Sequence, residues 1–83
     1  MSEKISTSGR ITILLGKQQA VTGQRISPRK LAEIAGVPKD FIYRMDAGTA
    51  RHVDLDALAR LCTALHCRPQ DLLVWEPNHA ESI

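Results

Sequence analysis

Aromatic side chains are nearly missing from this sequence. Phe41, Tyr43 and Trp75 are the complete set, so any core must be built from aliphatic residues. Long apolar runs are missing too: no stretch approaches the roughly 20 apolar residues that a membrane-spanning helix requires. The opening Met-Ser-Glu-Lys-Ile-Ser-Thr-Ser-Gly holds no apolar segment fit for a secretion signal, and a cytoplasmic location is the expectation. There is no glycine-rich phosphate loop, no pair of carboxylates placed for a cleft, and no Cys/His arrangement poised for nucleophilic attack. These absences exclude the common enzyme signatures and call for no cofactor. Cysteine is scarce as well, with only Cys62 and Cys67. Five apart inside or beside one helical pattern, they would fall on different faces of a regular helix, which argues against an intrachain disulfide. His52, His66 and His79 do not complete a common zinc-ligand spacing with them, so reduced core thiols and no metal site are expected.

What is present begins with an uneven charge. The net charge of the 83-residue chain is only +2, yet residues 1–51 carry nine Lys/Arg against four Asp/Glu, and residues 52–83 carry two against five. A basic half suits a polyanionic partner. With 43% hydrophobic residues the chain is one small domain. Residues 1–9 read as a flexible N-terminal arm, residues 10–77 as the domain, and residues 78–83 as a flexible tail.

Along the domain, the alternating Ile11, Ile13 and Leu15 closed by Gly16 predict a short strand over Arg10–Leu15. A short helix follows over Lys17–Thr22 with Ala20 and Val21 inward. Ser27 is a good N-cap, and Pro28 suits the first helical position. Leu31, Ala32 and Ala35 form the inner face of this second helix, Gly36 stops it, and Val37 buries itself at the corner. Pro38 starts a third helix over 38–46, in which Phe41, Ile42 and Met45 repeat at helical spacing before Gly48 ends it. Asp54 caps a fourth helix with Leu55, Leu58, Ala59, Cys62 and Leu65 inward. His66 occupies the place of a C-terminal glycine and is expected in the left-handed conformation. Pro69 opens a fifth helix through Leu72, and Leu73–Glu76 reads as a second strand.

The second and third helices, hinged at Gly36-Val37, have the outline of a helix-turn-helix, a module that lays its second helix in the DNA major groove. The face of the third helix opposite Ile42 and Met45 carries Lys39, Asp40, Tyr43 and Arg44. Lys39 and Arg44 are donors suited to guanine O6/N7 or to phosphate, Asp40 can accept from cytosine N4, and Tyr43 can meet phosphate or a thymine methyl. These four are the candidate base contacts; the plainer reading is a solvated helix face. Ser27, Arg29 and Lys30 at the start of the second helix, and Thr49, Arg51 and His52 after the third, are the candidate phosphate contacts.

Ser27, Leu31-Ala32, Gly36-Val37 and Asp46-Ala47-Gly48 together resemble the Cro/cI-type (Xre, lambda-repressor-like) helix-turn-helix. The segment ARHVDLDALARLCTALHCRPQDLLVWEP is similar to a compact bacterial and phage subgroup of these regulators, with a Val-Asp-Leu helix start, a Cys-x4-Cys stretch and an Asp-Leu-Leu ending in a short aromatic-bearing strand. The resemblance covers residues 11–77. It implies a mainly α, five-helix lambda-repressor-like DNA-binding domain whose short terminal β-strands pair. It also implies a sequence-specific transcriptional regulator of double-stranded DNA, with repression as the expected mode and both cysteines in the core. Three positions depart from the family pattern. Pro28 stands where Gln often braces a backbone contact, Pro38 where Ser or Thr usually caps the recognition helix, and Phe41 where a small or hydroxyl residue is common. For Phe41, which shares a face with Met45, packing is the expectation.

One such helix buries little surface, so tight binding calls for two copies on neighbouring half-sites. A homodimer is expected through the terminal strands, with Ile11, Ile13, Leu15, Val74 and Trp75 at the contact; the strands can pair within one chain or between two. The rival reading is an antitoxin-like or adaptor module that binds a protein partner through Trp75 and the tail.

Overall fold

Five helices and a two-stranded sheet make up the computed structural model, which describes residues 3–77. In chain order these are β1 (Lys4–Ser6), α1 (Arg10–Thr22), α2 (Pro28–Ala35), α3 (Lys39–Ala47), α4 (Leu55–Leu65), α5 (Pro69–Leu72) and β2 (Val74–Glu76). The expected mainly α architecture is what the chain adopts.

Local chemistry explains most of the boundaries. The Ser27 hydroxyl accepts from the Lys30 N–H at 3.1 Å, and Pro28 follows where no intrahelical N–H is needed. Asp54 accepts from the Ala57 N–H at 2.9 Å and starts α4. That helix ends at His66 with φ 53°, the expected left-handed stop. Pro69 opens α5, and Leu73, expected as the first residue of a strand, is the C-cap of α5 instead.

The strand expected over Arg10–Leu15 is the first half of α1. Its β-branched alternation also places Ile11 and Leu14 on one helical face, where both are buried, while Ile13 points outward. What the local pattern cannot show is how this helix starts. Its N-cap is Gly9, which has no side chain to offer. Asp46, at the end of α3, caps it from outside: Thr12 donates its N–H to Oδ1 at 3.0 Å and its hydroxyl to Oδ2 at 2.6 Å. The Gly9 N–H donates to the Asp46 carbonyl at 2.8 Å. Helix α1 then runs through Gly16, which stops nothing, and leaves the expected inward residues Ala20 and Val21 exposed, Val21 at 86%.

Nothing lies within 4 Å of the position a Cβ would take on Gly16. A glycine inside a helix costs about 0.5–1 kcal/mol relative to alanine. Gly16→Ala is therefore expected to stabilise the domain by that amount, read as a higher urea midpoint with an unchanged slope.

The N-terminal strand forms upstream of its expected place, within the segment expected as a flexible arm. β1 pairs antiparallel with β2 in the same chain, in the register Lys4↔Glu76, Ile5↔Trp75 and Ser6↔Val74. A three-residue strand is too short to leave a period-2 signal, and its position is set by the tertiary anchor that follows it. Thr7 is buried and donates its hydroxyl to the Met45 carbonyl. The tail expected over residues 78–83 lies outside the described residues.

In α4 the inward stripe is Ala57, Leu58, Leu61, Cys62 and Leu65. Leu55 and Ala59, expected inward, are exposed, Leu55 at 76%. The i, i+3, i+4 rule holds, but phased from Leu58 rather than from the first leucine. Every helix sends at least one fully buried side chain to a common core: Ile11 from α1, Leu31 from α2, Ile42 and Met45 from α3, Leu61 from α4 and Leu72 from α5. Helix α3 packs on α1 and α2, so its inner face is fixed and its outer face is free.

Candidate nucleic-acid interface

The turn between α2 and α3 is built from backbone bonds. Gly36 takes φ 72°, and its N–H reaches the Ala32 carbonyl at 2.9 Å. The Val37 N–H reaches the same oxygen at 3.1 Å, and the Val37 side chain is buried. Pro38 is the N-cap of α3, one residue earlier than the helix proper, and brings no side-chain cap. Helix α3 closes at Gly48, φ 79°, where the Thr49 N–H reaches the Arg44 carbonyl at 3.0 Å.

Between these ends α3 is two-faced. Phe41, Ile42 and Met45 are buried, and Phe41 packs in the core as expected. Lys39, Asp40, Tyr43 and Arg44 are all exposed. Arg44 Nε stands 3.0 Å from Asp40 Oδ2, an ion pair across one helical turn. Lys39 has no carboxylate within ion-pair distance among the described residues.

The surrounding residues differ in what they have left to offer. Arg29, Lys30, Arg51 and His52 are exposed, and Lys30 approaches Glu33 loosely at 3.6 Å. The Ser27 hydroxyl accepts within the cap of α2 and keeps its own proton to donate. Thr49 directs its hydroxyl proton to the Arg44 carbonyl at a long 3.4 Å. The backbone of α2 opens toward Ser27, so the positive end of that helix adds to the same basic segment.

Asp46 braces α3 against α1, and local reading misses it. It is half-buried at the last turn of α3 and joins that helix to the start of α1. The available signal was a pairing of two sequence facts: an acid two residues before a helix-ending glycine, and a glycine N-cap on another helix. Arg10 extends the bracing, with Nε donating to the Asp71 carbonyl at 2.8 Å and so tying α1 to α5.

The proposed dimer residues are scattered by the new position of the strand. Ile11 lies in the core and has no surface to share; Leu15 and Val74 are half-buried. Ile13 is exposed on α1. Trp75, 62% exposed, stands opposite Ile5, 59% exposed, on the small sheet.

The two thiols are neighbours, contrary to the expectation from helical faces. Cys67 lies past the end of α4, and the left-handed His66 folds it back so that its N–H meets the Cys62 carbonyl at 3.0 Å. Both cysteines are free, Cys62 buried and Cys67 half-buried. Burial, then the Cys62 thiol beside it, pushes the Cys67 thiol up to about 12 from 9.0. The unfolded chain releases that proton near pH 9, whereas the folded chain holds it to about pH 12. Stability is thus undiminished below pH 9 and is expected to fall as pH rises from 9 toward 12. Urea titrations across that window check it: Cys67→Ala should flatten the fall, and an equal slope in both proteins would contradict it. Among the described residues no three His, Cys, Asp or Glu side chains gather as metal ligands; His79 lies outside them. No helix of the described residues is long and apolar enough to cross a membrane.

Two helices hinged by a left-handed glycine, with the second locked on its inner face and polar and basic outside, define a helix-turn-helix DNA-binding domain. The chain belongs to the Cro/C1-type HTH DNA-binding domain family, whose profile matches residues 23–78. The match takes in α2 to β2 and leaves out β1 and α1. No curated protein and no solved structure matches the chain. It is a DNA-binding regulator of that general kind.

Proposed function

We propose that this protein is a sequence-specific transcriptional repressor that inserts α3 in the major groove. The two faces of α3 carry the reading: core residues fix Phe41, Ile42 and Met45, and the rigid helix so held presents Lys39, Asp40, Tyr43 and Arg44 together. Those four form the base-reading surface. Ser27, Arg29, Lys30, Thr49, Arg51 and His52 hold the phosphate backbone and set the register of the helix. Repression follows from occupancy, since a domain seated on promoter DNA blocks other proteins from it.

The acting unit is a homodimer spanning half-sites about 34 Å apart. Its support is the sheet, where the exposed Ile5 and Trp75 side chains stand opposite each other on a two-strand ribbon with open edges. Sedimentation equilibrium tests this: self-association is expected, and a monomer at high micromolar concentration would end the dimer.

Selection from a random duplex pool, followed by binding across a salt series, tests the whole reading. A defined motif should be enriched. If about five phosphates are neutralised, log K should fall against log[salt] with a slope of about −4 to −5. No enriched motif and a flat salt response would assign the exposed Trp75 surface to a protein partner instead, as in an antitoxin-like or adaptor module.

A further inference from the structure

Arg44 and Asp40 form the shortest ion pair among the described residues, at 3.0 Å, against 3.6 Å for Lys30–Glu33 and 3.7 Å for Lys4–Glu76. Both side chains are largely exposed, so the pair adds little to the stability of the free domain. Beyond the modest gain of an acid in the first turn and a base in the last, helix α3 is held through its inner face, with Ile42 and Met45 in the core. A carboxylate on a surface that approaches phosphates also opposes binding in general. Its place there calls for a compensating role.

The geometry of the pair supplies one. The close approach is made by Nε, the guanidinium nitrogen nearest the stem. The two terminal Nη groups lie beyond Nε in the same guanidinium plane, which the carboxylate helps to fix. An arginine that reads guanine must present two parallel N–H donors to O6 and N7. A free arginine loses rotamer freedom to do so, and an arginine already held loses less.

Building on the DNA reading above, we propose that Asp40 is a positioning residue for Arg44. It holds the guanidinium so that the two Nη groups meet O6 and N7 of a guanine, which makes guanine the base selected at the Arg44 position. Asp40 thereby trades general affinity for selectivity. It repels every duplex alike and rewards only the one that offers the acceptor pair Arg44 is set to meet. As water leaves the closing interface, the Asp40–Arg44 attraction strengthens, and the guanidinium is held more firmly at the moment it is needed.

The test uses the full chain and the duplex enriched from a random pool, with each base pair replaced in turn by the other three. Dissociation constants are read by fluorescence anisotropy at one salt concentration, and thermal melting shows that each variant is folded. For the wild type, one guanine should be preferred by about 10- to 100-fold over other bases. Asp40→Ala should cut the preference at that same position to about threefold or less, while binding to a random-sequence duplex holds or tightens. Arg44→Ala should remove the same preference, and the double variant should lose nothing more. Asp40→Glu, which keeps a carboxylate one turn away, should restore most of it. Three outcomes overturn the proposal with the DNA reading intact: an unchanged guanine preference in Asp40→Ala, a lost preference at a different base pair, or additive losses in the double variant. If no duplex is enriched at all, the DNA reading falls and the proposal falls with it.

Discussion

Alanine at Gly48 is expected to destabilise the domain by about 2–4 kcal/mol, two costs acting at one site. The backbone there has φ 79°, where an L side chain is strained by roughly 1–2 kcal/mol. A Cβ at this position would also stand 2.9 Å from the Ser8 Cβ and 3.4 Å from its Cα. Ser8 cannot retreat cheaply, because its neighbours are pinned: the Thr7 hydroxyl to the Met45 carbonyl, and the Gly9 N–H to the Asp46 carbonyl at 2.8 Å. Gly36 supplies the internal control. It has φ 72° but open space around the same position, so Gly36→Ala should show the backbone strain alone. In a domain this small, the Gly48 loss is a large part of the total stability. Urea unfolding followed by circular dichroism checks both; equal losses in the two variants would remove the close approach from the account.

The second large effect concerns binding. Lys39→Ala with Arg44→Ala is expected to abolish selection of the enriched site and leave the fold intact. A well-formed contact between a basic side chain and a base pair contributes about 1–3 kcal/mol of discrimination, so two of them separate specific from general affinity by about 30-fold or more. Neither side chain touches the core, and both are exposed on α3. Thermal melting should therefore stay near that of the parent protein. The expected result is a double variant that binds enriched and random duplexes alike, with residual affinity from Arg29, Lys30 and Arg51. Retained preference for the enriched site would move base reading away from α3.

Much of this architecture was legible in the residues themselves. Ser27, Pro28, Gly36, Asp54, His66 and Pro69 act through their own backbone or their nearest neighbours, and each boundary they mark is where the chain turns. Helix α3 was legible for the same reason, since Phe41, Ile42 and Met45 repeat at one face. The first helix was not. Its start depends on Asp46, thirty-four residues further along the chain from Thr12, and no local pattern carries a cap supplied by another helix. The strand at Lys4–Ser6 failed to show for a similar reason: its partner lies at the far end of the domain. The thiols of Cys62 and Cys67 were misjudged because helical geometry was extended past Leu65, where His66 turns the chain. At the interface the residue types on α3 were readable, but the pairing of Asp40 with Arg44 needed coordinates. Sequence reads Asp40 as a base contact in its own right; the 3.0 Å contact adds that its Oδ2 stands against Arg44.

The central claim is that the outer face of α3 meets base edges in the major groove, and guanine methylation interference tests it most directly. Methylation at N7 blocks the major-groove edge of guanine and leaves the minor groove and the phosphates untouched. On the enriched duplex, the wild-type protein should be excluded by N7-methylation at a defined guanine in each half-site, and Arg44→Ala should be indifferent to methylation at that same position. Interference that persists unchanged when Lys39→Ala is combined with Arg44→Ala, or its absence at every guanine, would contradict major-groove reading by α3.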